Sequence, residues 1–300
     1  MNLSRRQTLQ TFAATLALGA LPARAQAGKS ALPAAASGAD VPKLTLGDGT
    51  KIPILGYGTW DVRGAAGQKA IETALALGYR HIDTAAMYGN EDIVGAAVRA
   101  SGIPRRDIYI TSKIWSDMSG DGARRTFARS QKALGLDYID LYLLHRPSGD
   151  IYAAWETLNA EQRAGNVKSL GVSNFNAAQI AEFHARVASK PVLNQIELNP
   201  TEQQHATSRA MQPLGVAVQS YSPFGGGSGS RAMLQRPELV QIGAKHGKSA
   251  AQIILRWLVQ QNIIAIPKTV RPERMRENLA VFDFALDDDD MRQIAALDGK

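Results

Sequence analysis

Eight short apolar runs, separated by stretches of helical periodicity, leave few folds open to this chain. They are ILGYG at 54–58, YRHID at 79–83, IYITSK at 108–113, YIDLYLLH at 138–145, VKSLGVS at 167–173, PVLNQIE at 191–197, GVAVQS at 215–220 and IIAIPK at 263–268. Between them lie segments such as GQKAIETALALG at 67–78 and YAAWETLNAEQRAG at 152–165, whose apolar positions follow a helical period. Repeated strand–helix alternation predicts an α/β fold, the (β/α)8 TIM barrel, over residues 41–300. At its start, Lys43–Leu46 and Thr50–Ile52 flank Gly47-Asp48-Gly49, which predicts an N-terminal β-hairpin. A doubly wound sheet is the rival. It calls for Gly-x-Gly-x-x-Gly after its first strand, and Gly56-Tyr57-Gly58-Thr59-Trp60-Asp61 supplies only the first two glycines.

Barrels build their sites at the C-terminal ends of the strands. Here the second run ends at Asp83, with Tyr88 in the following loop, the third ends at Lys113 and the fourth at His145. Singly, each has an ordinary reading: Asp83 as a helix cap, Tyr88 as rim packing, Lys113 as a solvated strand end, His145 as the partner of a backbone carbonyl. Together they compose the reduction of a carbonyl. Hydride arriving at the carbon leaves an alkoxide, which needs a proton. A tyrosine of pKa about 10 is a reluctant donor, and a neighbouring cation draws that pKa down. Lys113 is that cation, Asp83 is placed to hold it, and His145 can donate to the carbonyl oxygen. Cysteine is absent, which removes disulfides, thiol chemistry and cysteine-ligated metals; no metal site is predicted.

Several stretches, LGYGTW (55–60), YRHIDTAAMYGNE (79–91), TSKIW (111–115), LLHRP (143–147), GVSNF (171–175), NQIELNP (194–200), YSPFGGG (221–227) and IPKTVRPERMRENL (266–279), resemble the aldo-keto reductase family. The similarity runs essentially the whole length after Val41. It implies Tyr88 as general acid and base, Asp83 and Lys113 as its tuning pair, and His145 as the carbonyl-orienting donor. It also implies NADPH/NADP+ held without a Rossmann domain. Ser173, Asn174 and Gln195 would bond the nicotinamide carboxamide, and Tyr221 would stack on its ring. Gly58, Thr59, Trp60 and Asp83 would approach the cofactor at the first strand ends. Ser222, Pro223, Phe224 and Gly226, in a segment running to Gly227, would fold over the pyrophosphate, although the glycines alone could be a plain flexible loop. Lys268, Thr269, Val270, Arg274, Glu277 and Asn278 would take the adenosine end, where Lys268 and Arg274 suit a 2′-phosphate. Trp60, Trp115, His145 and Arg146 would line the substrate pocket.

Two departures from the family pattern bear on substrate. LLHRP carries Arg146 where many relatives have tryptophan, so it either favours an anionic substrate or turns away to solvent. The chain ends at Lys300, soon after LDDDDMRQIAALD, without the long C-terminal tail of many relatives. Small aldehydes, 2-oxoaldehydes and keto-sugars all stay open. An accessory, redox-sensing nucleotide binder on the same fold is the alternative function, and loss of Tyr88, Lys113 or His145 would have favoured it.

The first residues address a different question. Ser4-Arg5-Arg6 precedes the uncharged run Thr11–Leu21, which is too short to span a membrane. Ala23-Arg24-Ala25 follows as a cleavage site, with Ala25-Gln26-Ala27 as the fallback, and a general secretory signal or a chance amphipathic tail is the alternative reading. Residues 1–25 are therefore expected to be a twin-arginine-type signal peptide, and Ala-, Ser- and Gly-rich 26–40 a flexible linker. The expectation is a monomer exported to the periplasm by the twin-arginine translocase, or a cytoplasmic one if the signal does not function. The formal charge of +7 includes Arg5, Arg6 and Arg24, which would leave with the signal. No basic block interleaved with aromatics remains, which argues against nucleic acid as a partner.

Overall fold

The computed structural model describes residues 41–226 and 229–300. The expected signal peptide and linker, and Gly227 of the glycine-rich segment, lie outside the described residues. The described part opens with strands β1 (Lys43–Thr45) and β2 (Lys51–Pro53), paired antiparallel with Lys43 opposite Pro53. Asp48 makes the turn: its Oδ1 accepts from the Thr50 amide at 3.0 Å, while Gly49 takes φ +85°. The other carboxylate oxygen accepts from the Ser169 hydroxyl at 2.7 Å, tying the hairpin across the floor of the barrel.

The barrel strands are β3 (Tyr57–Gly58), β4 (His81–Asp83), β5 (Tyr109–Ile114), β6 (Ile139–Leu144), β7 (Val167–Ser173), β8 (Leu193–Glu197), β9 (Ala217–Tyr221) and β10 (Ile264–Ala265). They are parallel and lie side by side in chain order. The eight expected runs contain all eight, apart from one residue at each of two ends, Ile114 and Tyr221. Closure falls at β3 and β10, where Leu55 bridges Ala265. There the Gly56 amide donates to the Ala265 carbonyl at 2.8 Å and the Ala265 amide to Ile54 at 2.9 Å.

Strand side chains alternate between two faces, and the alternation decides which residues can meet. Asp83, Lys113 and Gln195 come together across the lumen. The intervening residues turn outward, Ser112 to Glu91 and Tyr142 to Ser130 on the surrounding helices. Little room is left inside: a methyl on Gly171 would sit 2.7 Å from Leu143 Cδ2 and 2.8 Å from the Leu193 carbonyl.

The outer ring begins with α1 (Gly64–Ala76), α2 (Glu91–Ala100), α3 (Gly120–Leu134), α4 (Ile151–Arg163), α5 (Ala177–Arg186) and α6 (His205–Met211). It continues with α7 (Gly229–Leu234), α8 (Pro237–His246), α9 (Ala250–Gln260), α10 (Pro272–Leu279) and α11 (Asp288–Ala295). Their boundaries follow local chemistry. Ser119 accepts from the Gly122 amide to start α3, and Gly135 ends it in the left-handed conformation at φ +57°. Reciprocal capping boxes start α5 (Asn176 with Gln179), α9 (Ser249 with Gln252) and α11 (Asp287 with Asp290). Trp155, Phe127, Phe175 and Phe183 fill the layer between helices and barrel.

Candidate active site

The cleft lies at the C-terminal ends of the strands, and the order of the strands assembles it. β4 ends on Asp83, and a 3-10 turn at Ala86–Tyr88 brings the phenol back over the lumen. β5 supplies Lys113 from below, and His145 follows β6 directly. Lys113 is wholly buried, and its ammonium donates to Asp83 Oδ1 at 2.5 Å, the Thr84 carbonyl at 2.8 Å and Tyr88 Oη at 3.3 Å. Its three donors are thus aimed at three oxygens. Gln195 donates to the second Asp83 oxygen at 2.7 Å.

This arrangement sets the charge state of each group. Burial acts against the charge on Lys113, but Asp83 and Tyr88 outweigh it and hold the ammonium protonated. Burial also raises the Asp83 carboxyl, with Lys113 and Gln195 pulling it down. The short contact and the further oxygen acceptors make this an ammonium–carboxylate pair. The Tyr88 phenol differs from the expectation of a lowered pKa. Burial pushes it up, and the downward pull of Lys113 does not overcome that. Tyr88 therefore keeps its proton. His145 is driven down to about 3, first by burial and then by Lys113 and Arg146, so the imidazole is neutral near pH 7.

Around these groups is a cavity of about 570 Å³. Of the residues expected to serve, Gly58, Thr59, Trp60, Asp83, Tyr88, Trp115, His145, Arg146, Asn174, Gln195, Tyr221, Ser222, Pro223, Phe224, Gly226 and Lys268 line it. Trp60 meets Tyr88 edge-on at 4.9 Å, and Trp115 meets His145 in the same way at 4.9 Å. Lys113, Ser173, Thr269, Val270, Arg274, Glu277 and Asn278 do not line the cavity. Ser173 is buried beneath it, donating to the Gln195 carbonyl at 2.8 Å. Glu277 accepts from the Ser249 hydroxyl at the start of α9, and Asn278 is buried. Val270 and Arg274 are exposed, beyond Lys268. Gln195 spends its amide N–H on Asp83 and Asn174 spends its own on the His145 carbonyl at 2.9 Å, so both are tied into the rim.

Sequence reasoning missed several participants. Asn90 is buried; its Nδ2 donates to the Thr59 and Val62 carbonyls at 2.8 and 3.0 Å, and its Oδ1 accepts from Thr84 at 2.6 Å. It thereby locks the loop after β3 to the loop carrying Tyr88. An asparagine two residues after the site tyrosine, in YGNE, was its one signal, and its burial could not be read from the sequence. Ser230, in α7, donates to the Gly225 carbonyl beside the cavity. Asp61, Met87 and Ile266 also line the cavity, without a distinguishing pattern in the sequence.

Fold and rim together define a class: a barrel with a buried cation held against a phenol, beside a neutral imidazole, at the strand ends. The sequence profile of the Aldo/keto reductase family matches residues 54–299. An aldo-keto reductase of Mycobacterium sp. (strain MCS) is 40% identical over 87% of this chain and 92% of its own. The crystal structure of an aldo/keto reductase from Brucella melitensis, 43% identical, superposes with a TM-score of 0.82 over 86% of this chain and 98% of that one. A Bombyx mori aldo-keto reductase solved in complex with NADP is 35% identical, with a TM-score of 0.81 over 86% and 93% of the two chains. The chain belongs to the aldo/keto reductase family of oxidoreductases.

Proposed function

We propose that this chain reduces an aldehyde or ketone to an alcohol with NADPH, and that Tyr88 supplies the proton. The observation that carries the reading is the Lys113 ammonium, buried, 3.3 Å from the Tyr88 hydroxyl and bonded to Asp83. A dinucleotide fits what is present. The cavity runs from Trp60 and Trp115 past the Tyr221 ring to the loop Ser222–Gly226 and Lys268. Lys268 has no carboxylate partner among the described residues, and exposed Arg274 lies within the first turn of α10, close by in sequence. These cations would take phosphate oxygens. The silkworm relative's NADP complex supports the same cofactor. When bound, that cofactor supplies the hydride.

The residues do the rest. His145 Nδ1 is buried without a partner, so we assign the imidazole proton to Nε2, where it can donate to the carbonyl oxygen. As charge builds on that oxygen, Tyr88 gives up its proton. Burial keeps the phenol protonated until then, and Lys113 stabilises the phenolate that results. Asp83 keeps Lys113 charged throughout. Tyr88→Phe keeps the ring and removes the proton; reduction of 4-nitrobenzaldehyde, followed by NADPH absorbance, should fall at least about a hundredfold with nucleotide binding retained. Activity within about threefold of wild type would overturn the assignment.

Export of this enzyme through the twin-arginine route is part of the same proposal. It rests on Ser4-Arg5-Arg6 and Ala23-Arg24-Ala25. Replacing Arg5 and Arg6 by lysine should retain the protein in the cytoplasm on fractionation; unchanged periplasmic recovery would remove the claim.

A further inference from the structure

We propose that the cleft selects carbonyl compounds bearing a carboxylate away from the carbonyl, held by Arg146. This names the substrate class of the reaction proposed above and rests on that reading. Arg146 follows His145 directly and, although exposed, lines the cavity. Its guanidinium carbon lies 3.8 Å from the centre of the Trp115 ring. Stacking occupies the face of the guanidinium and leaves its edge N–H groups to recognise a planar two-oxygen acceptor.

Among the described residues no carboxylate forms an ion pair with Arg146. The cavity's own acids are engaged elsewhere: Asp61 with Arg63 at 3.1 Å, and Asp83 with Lys113 and Gln195. Glu197 lies near Gly226 and forms no ion pair among the described residues. Trp115 touches both the Arg146 guanidinium and the imidazole that would hold the carbonyl. With the guanidinium on the Trp115 ring and the carbonyl donor His145 against that same ring, the carboxylate and the carbonyl would be held by different groups, which suits an aldehydo-acid better than a 2-oxo acid. A guanidinium stacked for packing alone would give no discrimination by charge.

The test compares 4-formylbenzoate with its methyl ester, which differ mainly in charge. In the wild type with NADPH, kcat/KM should favour the acid by at least about tenfold, the worth of a charge-assisted hydrogen bond. Raising salt should shrink the ratio. Arg146→Gln should bring it close to unity, and Arg146→Lys should restore part of it as a point charge. A wild-type ratio near one, or a ratio unchanged in Arg146→Gln, overturns the inference while turnover of the ester leaves the proposed reaction standing. If neither compound is turned over, the reaction fails, and calorimetric titration of the wild type with benzoate and benzamide still decides the inference. Preferential binding of benzoate, weakened by salt, supports it; equal or absent binding of benzoate refutes it.

Discussion

Lys113→Met removes a charge from the lumen while keeping the length of the side chain, and the structure sets what should follow. The side chains of Lys113 and Asp83 are 0% and 2% exposed. Without the ammonium, Asp83 keeps one partner, Gln195 at 2.7 Å, and the Thr84 carbonyl loses its donor. Breaking a buried ion pair by removing one member costs about 3–5 kcal/mol, and the orphaned carbonyl adds about 1 kcal/mol. The carboxyl can escape part of this by binding a proton. Its folded pKa then lies above the unfolded one, so the stability lost relative to wild type should be smaller at pH 5 than at pH 8. A second change, Asp83→Asn, removes the stranded charge, and the double variant should be more stable than Lys113→Met by about 2 kcal/mol or more. Urea unfolding of the full chain, followed by circular dichroism at both pH values, measures all three. A loss below about 1 kcal/mol for Lys113→Met, or a double variant no more stable than the single, would refute the buried-pair account.

Other predictions probe packing, titration and the cofactor. A methyl on Gly95 would sit 1.8 Å from the Leu134 carbonyl oxygen, which is backbone, so Gly95→Ala must push α2 from α3 at a cost of about 3 kcal/mol; an unchanged Tm would contradict this. His81 and His145 both have folded pKa values of about 3 against an ordinary 6.5, so the folded chain binds fewer protons than the unfolded one between these values. Their contribution is whole above pH 6.5 and is lost as pH falls towards 3, at most about 5 kcal/mol each. His145→Gln should flatten the fall of unfolding free energy between pH 6.5 and 4, and an unchanged slope would show that His145 is not buried neutral. Arg274→Ala should raise the NADPH dissociation constant about tenfold or more and barely move that for NADH; equal losses would show that Arg274 does not read the 2′-phosphate.

The barrel was legible in the sequence because a strand buried on both faces must be a short apolar run, and its polar end marks the rim. IYITSK at 108–113 shows both features, and β5 spans Tyr109–Ile114. The first and last strands were less legible: ILGYG and IIAIPK yield only Tyr57–Gly58 and Ile264–Ala265. Pro267 has no amide to donate, so the ladder at the seam gives way to single bonds such as Gly58 N–H to the Pro267 carbonyl at 3.1 Å. At the site, residue types were readable and their pairings were not. Nothing local ties Gln195 to Asp83, which stand 112 positions apart in the chain. The upward shift of Tyr88 was hidden for a similar reason: a cation can be read from a lysine, but the depth of burial opposing it depends on the closed barrel.

The seam between β3 and β10 also orders events in time. Tyr57, in β3, gives its hydroxyl to the Thr269 carbonyl, 212 positions later. A ribosome making this chain exposes the edge of the first barrel strand long before it can offer the strand that covers it. Such long-range closure makes folding slow, and an open edge in the meantime invites wrong pairing. Because Lys268 lies three residues beyond the end of β10, the segment that seals the barrel is also the one that completes the cleft. A nascent chain stopped before Ile264 holds Asp83, Tyr88, Lys113 and His145 but has no finished wall beside them. The wall of the cleft is therefore finished only after β10 and Lys268 have been made.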